Sequence, residues 1–217
     1  MPRIAILGGT GYLASIIKNQ SNLKKNKYTF FSRNKKSKNY INFYDFDNSI
    51  TFLKKYNFII HLVGPSNNQI KKKKSLINEK NEITKKICDL CLKHNIKLIY
   101  ISSMQIYKHY GKINLSINSK IDLKNLYAKS HYESKKIILK KFKKYKNMFT
   151  ILRMGNVFGY RKFLNLDGLN ENIIHSFCKS ALEKKTIIVN NGSIQREFIL
   201  SKIFVDVINK SIQKKIF

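Results

Sequence analysis

The stretch that most constrains this chain is its beginning, where Arg3-Ile4-Ala5-Ile6-Leu7 runs into Gly8-Gly9-Thr10-Gly11-Tyr12-Leu13-Ala14 and Ile16-Ile17 then resumes with helical spacing. A short all-apolar run that stops at glycines and restarts as a helix reads as a buried parallel strand feeding that helix. Free backbone N–H groups and the positive end of the helix dipole meet at the turn, which makes it a place for a phosphate. Gly8 permits the tight turn, Gly11 lets backbone approach a pyrophosphate, and Ala14 is small enough for the helix to settle on the strand. The pattern G-x-x-G-x-x-A, with Tyr12 and Leu13 at the helix start, predicts a dinucleotide-binding site.

A chain of 217 residues, 43% of them hydrophobic, can bury one substantial core. Its formal net charge of +31 would by itself suggest nucleic acid or an anionic surface. Almost all of that charge is lysine, accompanied throughout by asparagine, isoleucine, phenylalanine and tyrosine, residues favoured by A/T-rich codons. A composition drift of the whole genome therefore accounts for it. The densest runs, Lys71 to Lys74 at a loop and Lys140-Lys141 with Lys143-Lys144 on a helix, read as solvated faces. No aromatic-plus-basic motif accompanies them, so specific nucleic-acid binding is the weaker alternative. Cys88, Cys91 and Cys178 are too few and too irregular for a disulfide framework, and Cys88-x-x-Cys91 lacks a second pair of metal ligands. No metal is expected. No apolar run reaches transmembrane length, and a soluble, cytoplasmic protein is the expectation.

Along the chain the period alternates between strand and helix. After the first helix, Tyr28 to Phe31 reads as a second strand closed by Ser32-Arg33, and Tyr40 to Phe46 contains a short third. Ile50 to Tyr56 suggests a helix, Phe58 to Val63 a buried strand, Leu76 to His94 a helix, and Lys97 to Ile101 a fifth strand closed by Ser102-Ser103. Such alternation implies an α/β fold of the Rossmann type, a doubly wound parallel sheet with its ligand at the carboxyl ends of the strands. The residue closing the second strand meets the adenosine ribose in such folds. Ser32 and Arg33, with Lys35 and Lys36 nearby, are donors suited to a 2′-phosphate, so NADP is favoured over NAD.

Ser102-Ser103-Met104-Gln105-Ile106-Tyr107 after the fifth strand and Leu126-Tyr127-Ala128-Lys129-Ser130-His131 at the next helix make the chain resemble the extended short-chain dehydrogenases/reductases. Within them it is similar to the NAD-dependent epimerase/dehydratase family, which works on nucleotide-linked sugars. The resemblance covers nearly the whole chain. It implies that Asp45, followed by Phe46, meets the adenine amine, and that the strand ending Leu62-Val63-Gly64 lines the cofactor. It further implies that Ser103 bonds the reacting oxygen and that Tyr127 is the acid/base beside the nicotinamide.

The chain departs from the family at one place. The motif is Tyr-x-x-x-Lys, whose lysine binds the nicotinamide ribose and lowers the tyrosine pKa, and here that position is His131. Histidine is mostly neutral at pH 7 and shorter than lysine, so either it serves as a weaker ribose ligand or activity is reduced or lost. Lys129 points elsewhere on the helix, and Lys135 is about 12 Å further along its axis.

Ile151 to Gly159 resembles the family's "LRxxNVYG", which implies that Asn156 faces the substrate diphosphate. Asn191 to Ile199 resembles "GxxxRDF", which implies that Arg196 clamps it; a structural ion pair is the other reading of that arginine. Ser201-Lys202 replaces the family's aspartate-containing turn. The expected division is a NAD(P)-binding domain over residues 1–155 and a short, interleaved substrate lobe over 156–217. The resemblance implies an epimerase, dehydratase or reductase acting by hydride transfer, and a homodimer formed through the helices near Leu76 to His94 and Tyr127 to Lys146. The alternative kept open on the same fold is a NAD(P)-binding sensor or assembly module without turnover.

Overall fold

Successive side chains of a strand point to opposite faces, so the all-apolar β1 (Arg3–Leu7) can be covered on both. In the computed structural model, which describes residues 1–20, 27–33, 38–42, 52–108, 114–159, 173–189, 192 and 196–213, both faces are covered. Ala5 and Leu7 join one core layer, Ile4 and Ile6 the other. β1 belongs to a five-stranded parallel sheet with β2 (Lys27–Phe31), β3 (Phe58–His61), β4 (Lys97–Ser103) and β5 (Phe149–Met154), in the order β2-β1-β3-β4-β5. The parallel Rossmann-like sheet is the fold that the sequence predicts.

The helices divide between the faces. α1 (Tyr12–Gln20) buries Ala14, Ile16 and Ile17 against Ile4 and Ile6. On the opposite face lie α3 (Leu76–Lys93) and α4 (Leu126–Lys141), preceded by the short α2 (Asn67–Lys72). Ile83, Ile87, Cys88, Leu90 and Cys91 of α3 pack there on Leu98 and Tyr100. Burial pushes the Cys88 thiol up to about 12 and raises that of Cys91 as well, so both stay protonated core residues.

After β5 the chain forms β6 (Asn156–Phe158), and after α5 (Ile173–Lys184) it forms β7 (Phe198–Leu200), which pairs with β6 in parallel. The last element, α6 (Ser201–Gln213), returns to the first face. Its Phe204, Val205, Ile208 and Ile212 follow helical spacing and enter the core layer of Ile16 and Ile17. Side chains fasten it further: Gln20 donates to Ser201 Oγ at 2.7 Å, and the Tyr28 hydroxyl donates to Asn209 Oδ1 at 2.8 Å.

Several local expectations change. A bridge between Ser32 and Tyr40 is what the described residues show of the expected third strand, the rest of which lies outside them. Between Phe52 and Tyr56 there is one 3-10 turn, Leu53–Lys55, where a helix is expected. Lys71 and Lys72 lie in the last turn of α2 rather than in a loop; a capping box, Ser66 with Gln69, starts that helix. α4 ends at Lys141, so Lys143 and Lys144 follow it. These lysines are exposed, as a solvated face requires.

Candidate active site

The chain passes from β1 to β2 on one side and then to β3 on the other, so the sheet order reverses between β1 and β3. A crevice opens at the carboxyl ends of strands at such a point. Here it is a cleft of about 670 Å³. Its first wall is the turn after β1. Gly8 has φ +94, which only glycine adopts without strain, and an added Cβ there would lie 3.0 Å from the Leu62 carbonyl carbon. A Cβ on Gly9 would be 2.9 Å from Phe30 Cβ, so this glycine, given no role by the sequence reading, is required for the turn to lie against β2. The N–H groups of Gly8 and Gly9 both donate to the Phe31 carbonyl, and that of Gly11 to the Gly8 carbonyl. The N-terminal end of α1, which carries the positive end of the helix dipole, meets the cleft where Tyr12 and Leu13 line it.

The second wall follows β3, where Leu62, Val63 and Gly64 face the cavity. His61 lies beneath them, wholly buried. The Thr84 hydroxyl donates to the Lys80 carbonyl at 2.8 Å, so it accepts from His61 Nε2–H at 3.0 Å, and Nδ1 accepts the Val63 N–H at 3.2 Å. Both ring nitrogens are used in the neutral form. Burial, aided by the charge of Lys80, lowers the His61 pKa to about 3.

The third wall combines the end of β4 with the start of α4. Ser103 is buried; its Oγ accepts the Gln105 N–H at 3.2 Å, which leaves the hydroxyl hydrogen available to a ligand. Asn125 caps α4 by accepting the Tyr127 N–H at 2.8 Å and donates its amide to Gln105 Oε1 at 3.2 Å. Tyr127 is half-buried, and its ring stands edge-on to that of His131 with centroids 4.6 Å apart. His131 Nδ1 lies 3.0 Å from the hydroxyl of buried Tyr100. Burial first, then the charge of Lys80, holds the His131 pKa well below its ordinary value, so the ring is neutral at pH 7. Beside Ser103, the Ser102 hydroxyl is buried with no hydrogen-bond partner among the described residues.

The far rim comes from the small sheet. Asn156 donates its backbone N–H and its side-chain amide to the Glu197 carbonyl, at 2.9 and 3.1 Å, which holds it beside exposed Arg196. Residues forty positions apart thus share one edge of the cleft. Among the described residues Arg196 is in no ion pair, and the cavity brings it together with Asn156, Ser103, Tyr127 and His131. Ser32 and Arg33 do not line it: Ser32 is buried with its hydroxyl 3.3 Å from that of Thr10, and Arg33 is exposed. Asp45 and Phe46 lie outside the described residues. Sequence reasoning overlooked Lys80, 2% exposed behind Gly64; its signal was a lysine on the apolar stripe of α3.

Among the described residues no group of three His, Cys, Asp or Glu is placed to hold a metal ion, and no helix is long and apolar enough to cross a membrane.

The fold is similar to that of nucleotide-sugar enzymes. A UDP-N-acetylglucosamine 4-epimerase from Bacillus cereus superimposes with a TM-score of 0.79 at 21% identity, over 99% of this chain and 73% of that one. A UDP-N-acetylglucosamine 4-epimerase from Methanobrevibacter ruminantium, in complex with UDP-N-acetylmuramic acid, gives 0.78 at 22% identity over 94% and 71%. The UDP-glucose 4-epimerase of Thermus thermophilus, in complex with NAD, gives 0.80 at 12% over 97% and 74%. No curated protein sequence matches the chain. The sequence profile of the NAD dependent epimerase/dehydratase family matches residues 4–216, and with the glycine turn, the parallel sheet and the cleft at its switch point this makes the chain a member of that family.

Proposed function

We propose that this protein is a NAD(P)-dependent enzyme that epimerises, dehydrates or reduces a nucleotide-linked sugar by hydride transfer. The observation that carries the reading is the convergence in one cleft of the N-terminus of α1, the Ser103–Tyr127 pair and the Asn156–Arg196 rim. The residues present fit a dinucleotide: the Gly8 to Leu13 turn brings the N-terminal end of α1 to the cleft, and Leu62 to Gly64 form an apolar wall. When bound, the nicotinamide supplies hydride transfer.

In this reading Ser103 donates its remaining hydroxyl hydrogen to the reacting sugar oxygen. Tyr127 takes the proton that this oxygen loses on oxidation and returns it on reduction. Asn156 and Arg196, from the lobe of residues 156–217, hold the diphosphate, Arg196 by bidentate bonds. Ser32 and Arg33 hold the adenosine ribose, with NADP preferred, and Asp45 and Phe46 the adenine. α3 and α4 form the interface of a homodimer.

The test is turnover of a panel of UDP- and dTDP-sugars with NAD or NADP, read by absorbance at the nicotinamide band and by NMR of the sugar. Tyr127→Phe is expected to lose about 10²- to 10⁴-fold in kcat while binding cofactor. The neutral ring of His131 favours a second reading, a dinucleotide-binding module without turnover. Tight cofactor binding with no conversion of any sugar, unchanged in Tyr127→Phe, would establish it.

A further inference from the structure

α3 carries a lysine where its inward stripe calls for a hydrocarbon. Ile77, Ile83, Thr84, Ile87 and Cys88 turn to the core, and Lys80 turns with them. A buried ammonium is expensive and persists only where partners or function retain it. Among the described residues Lys80 has one hydrogen-bond partner: it donates to Ser130 Oγ at 3.3 Å, and that hydroxyl donates to the Tyr127 carbonyl at 2.9 Å. An ammonium has three donors, so capacity remains. Its Nζ lies 5.8 Å from the Tyr100 ring centroid, the ring whose hydroxyl meets His131. A Cβ on Gly64 would lie 3.2 Å from Lys80 Cε and 3.6 Å from Nζ. Since Gly64 lines the cleft, a residue without a side chain separates the lysine tip from the cavity.

We propose that Lys80 is the cation of the Tyr127 site, delivered from α3 through the gap at Gly64 and the Ser130 hydroxyl in place of a charge at residue 131. The proposal rests on the enzymatic reading above for its turnover arm. The groups facing Lys80 are His61 from β3, Tyr100 from β4, Ser130, His131 and Glu133 from α4, and Thr84 on its own helix. Burial holds both histidines neutral, which leaves Lys80 as the group among these able to bear positive charge at neutral pH. Glu133 favours its ammonium form, but burial outweighs this and lowers its pKa to about 7. The charge is therefore present below neutral pH and lost above it. A dinucleotide is an anion, so both its affinity and the readiness of Tyr127 to hold a proton respond to that charge.

The experiment compares Lys80→Met, Lys80→Arg and the double variant Lys80→Met/His131→Lys with the parent. It measures thermal melting, NADH and NADPH affinity by fluorescence from pH 6 to 9, and the pH profile of kcat/KM. Lys80→Met is expected to melt no lower than the parent, because it removes a buried amine. It is also expected to lose about 10- to 100-fold in kcat/KM, the loss of one charge-assisted bond. Cofactor affinity and kcat/KM of the parent fall above pH ~7, whereas Lys80→Arg, whose guanidinium stays charged, shows no such fall. The double variant regains at least about half of the loss on a logarithmic scale, since it returns a cation to the turn after Tyr127. A folded Lys80→Met with the affinity, kcat/KM and pH profile of the parent overturns the proposal, as does a folded double variant no better than Lys80→Met. A parent that binds neither NADH nor NADPH overturns the enzymatic reading instead, so the two failures are distinct.

Discussion

The ring of His131 and the hydroxyl of Tyr100 meet at 3.0 Å inside the core, behind the tyrosine that faces the cleft. That contact anchors the histidine to β4, and burial keeps it uncharged. Position 131, where the Tyr-x-x-x-Lys motif has its lysine, is here part of the packing between α4 and the sheet. Placing a lysine there in the parent would set its ammonium near Lys80, so His131→Lys alone is expected to be less stable than the double variant that also removes Lys80. Urea unfolding of the two proteins checks this.

Acid should unfold the protein early, and the sign follows from burial. The folded-state pKa values of His61 and His131 lie below their usual value, so the unfolded chain takes up protons first as pH falls through about 6.5. Stability is expected to drop towards pH 3, by up to about 1.4 kcal/mol per pH unit for each histidine. Lys80, lowered to about 7, acts in a higher window: its contribution is complete above about 10.5 and is lost as pH falls to 7. Urea midpoints measured from pH 4 to 10 test both slopes.

His61→Leu removes a ring that satisfies the Val63 N–H and the Thr84 hydroxyl. Leaving polar groups unpaired in the interior is expected to destabilise by about 1–3 kcal/mol, despite the more apolar side chain. Thr84 retains its bond to the Lys80 carbonyl, so the larger part of the loss falls on the turn into the cleft. The acid slope of the variant should be shallower by one proton.

Gly8→Ala is expected to weaken the fold and cofactor binding together. Alanine at φ +94 is strained by about 1–2 kcal/mol, and its methyl would crowd the Leu62 carbonyl carbon at 3.0 Å. Gly9→Ala should destabilise by contact with Phe30 instead. Thermal melts with and without NADH separate the two: cofactor rescues less of the loss in Gly8→Ala.

At the rim, Arg196→Ala is expected to raise KM for the nucleotide sugar about 10- to 100-fold with cofactor affinity unchanged. Arg196→Lys should recover only part, because an ammonium does not reproduce the bidentate fork. Steady-state kinetics with NADH titrations decide it.

The strand, turn and helix around Gly8, the alternation of strands with helices, and the serine and tyrosine of the site were legible in the sequence, because each is encoded by residues a few positions apart. Helical and strand periods state which side chains turn inward, and glycines mark where the backbone bends. The helix before β3 was misread there, since a brief apolar run suits a single turn equally well. The pairing of β6 with β7, the return of α6 to the face of α1, and the placing of Lys80 behind Gly64 were decided only by the tertiary structure. Lys80 and His131 stand fifty-one positions apart, and their meeting depends on the register between α3 and α4, which no local spacing specifies. For the same reason a reading by motif could find the lysine missing at 131 but not the one that packing brings to the same site.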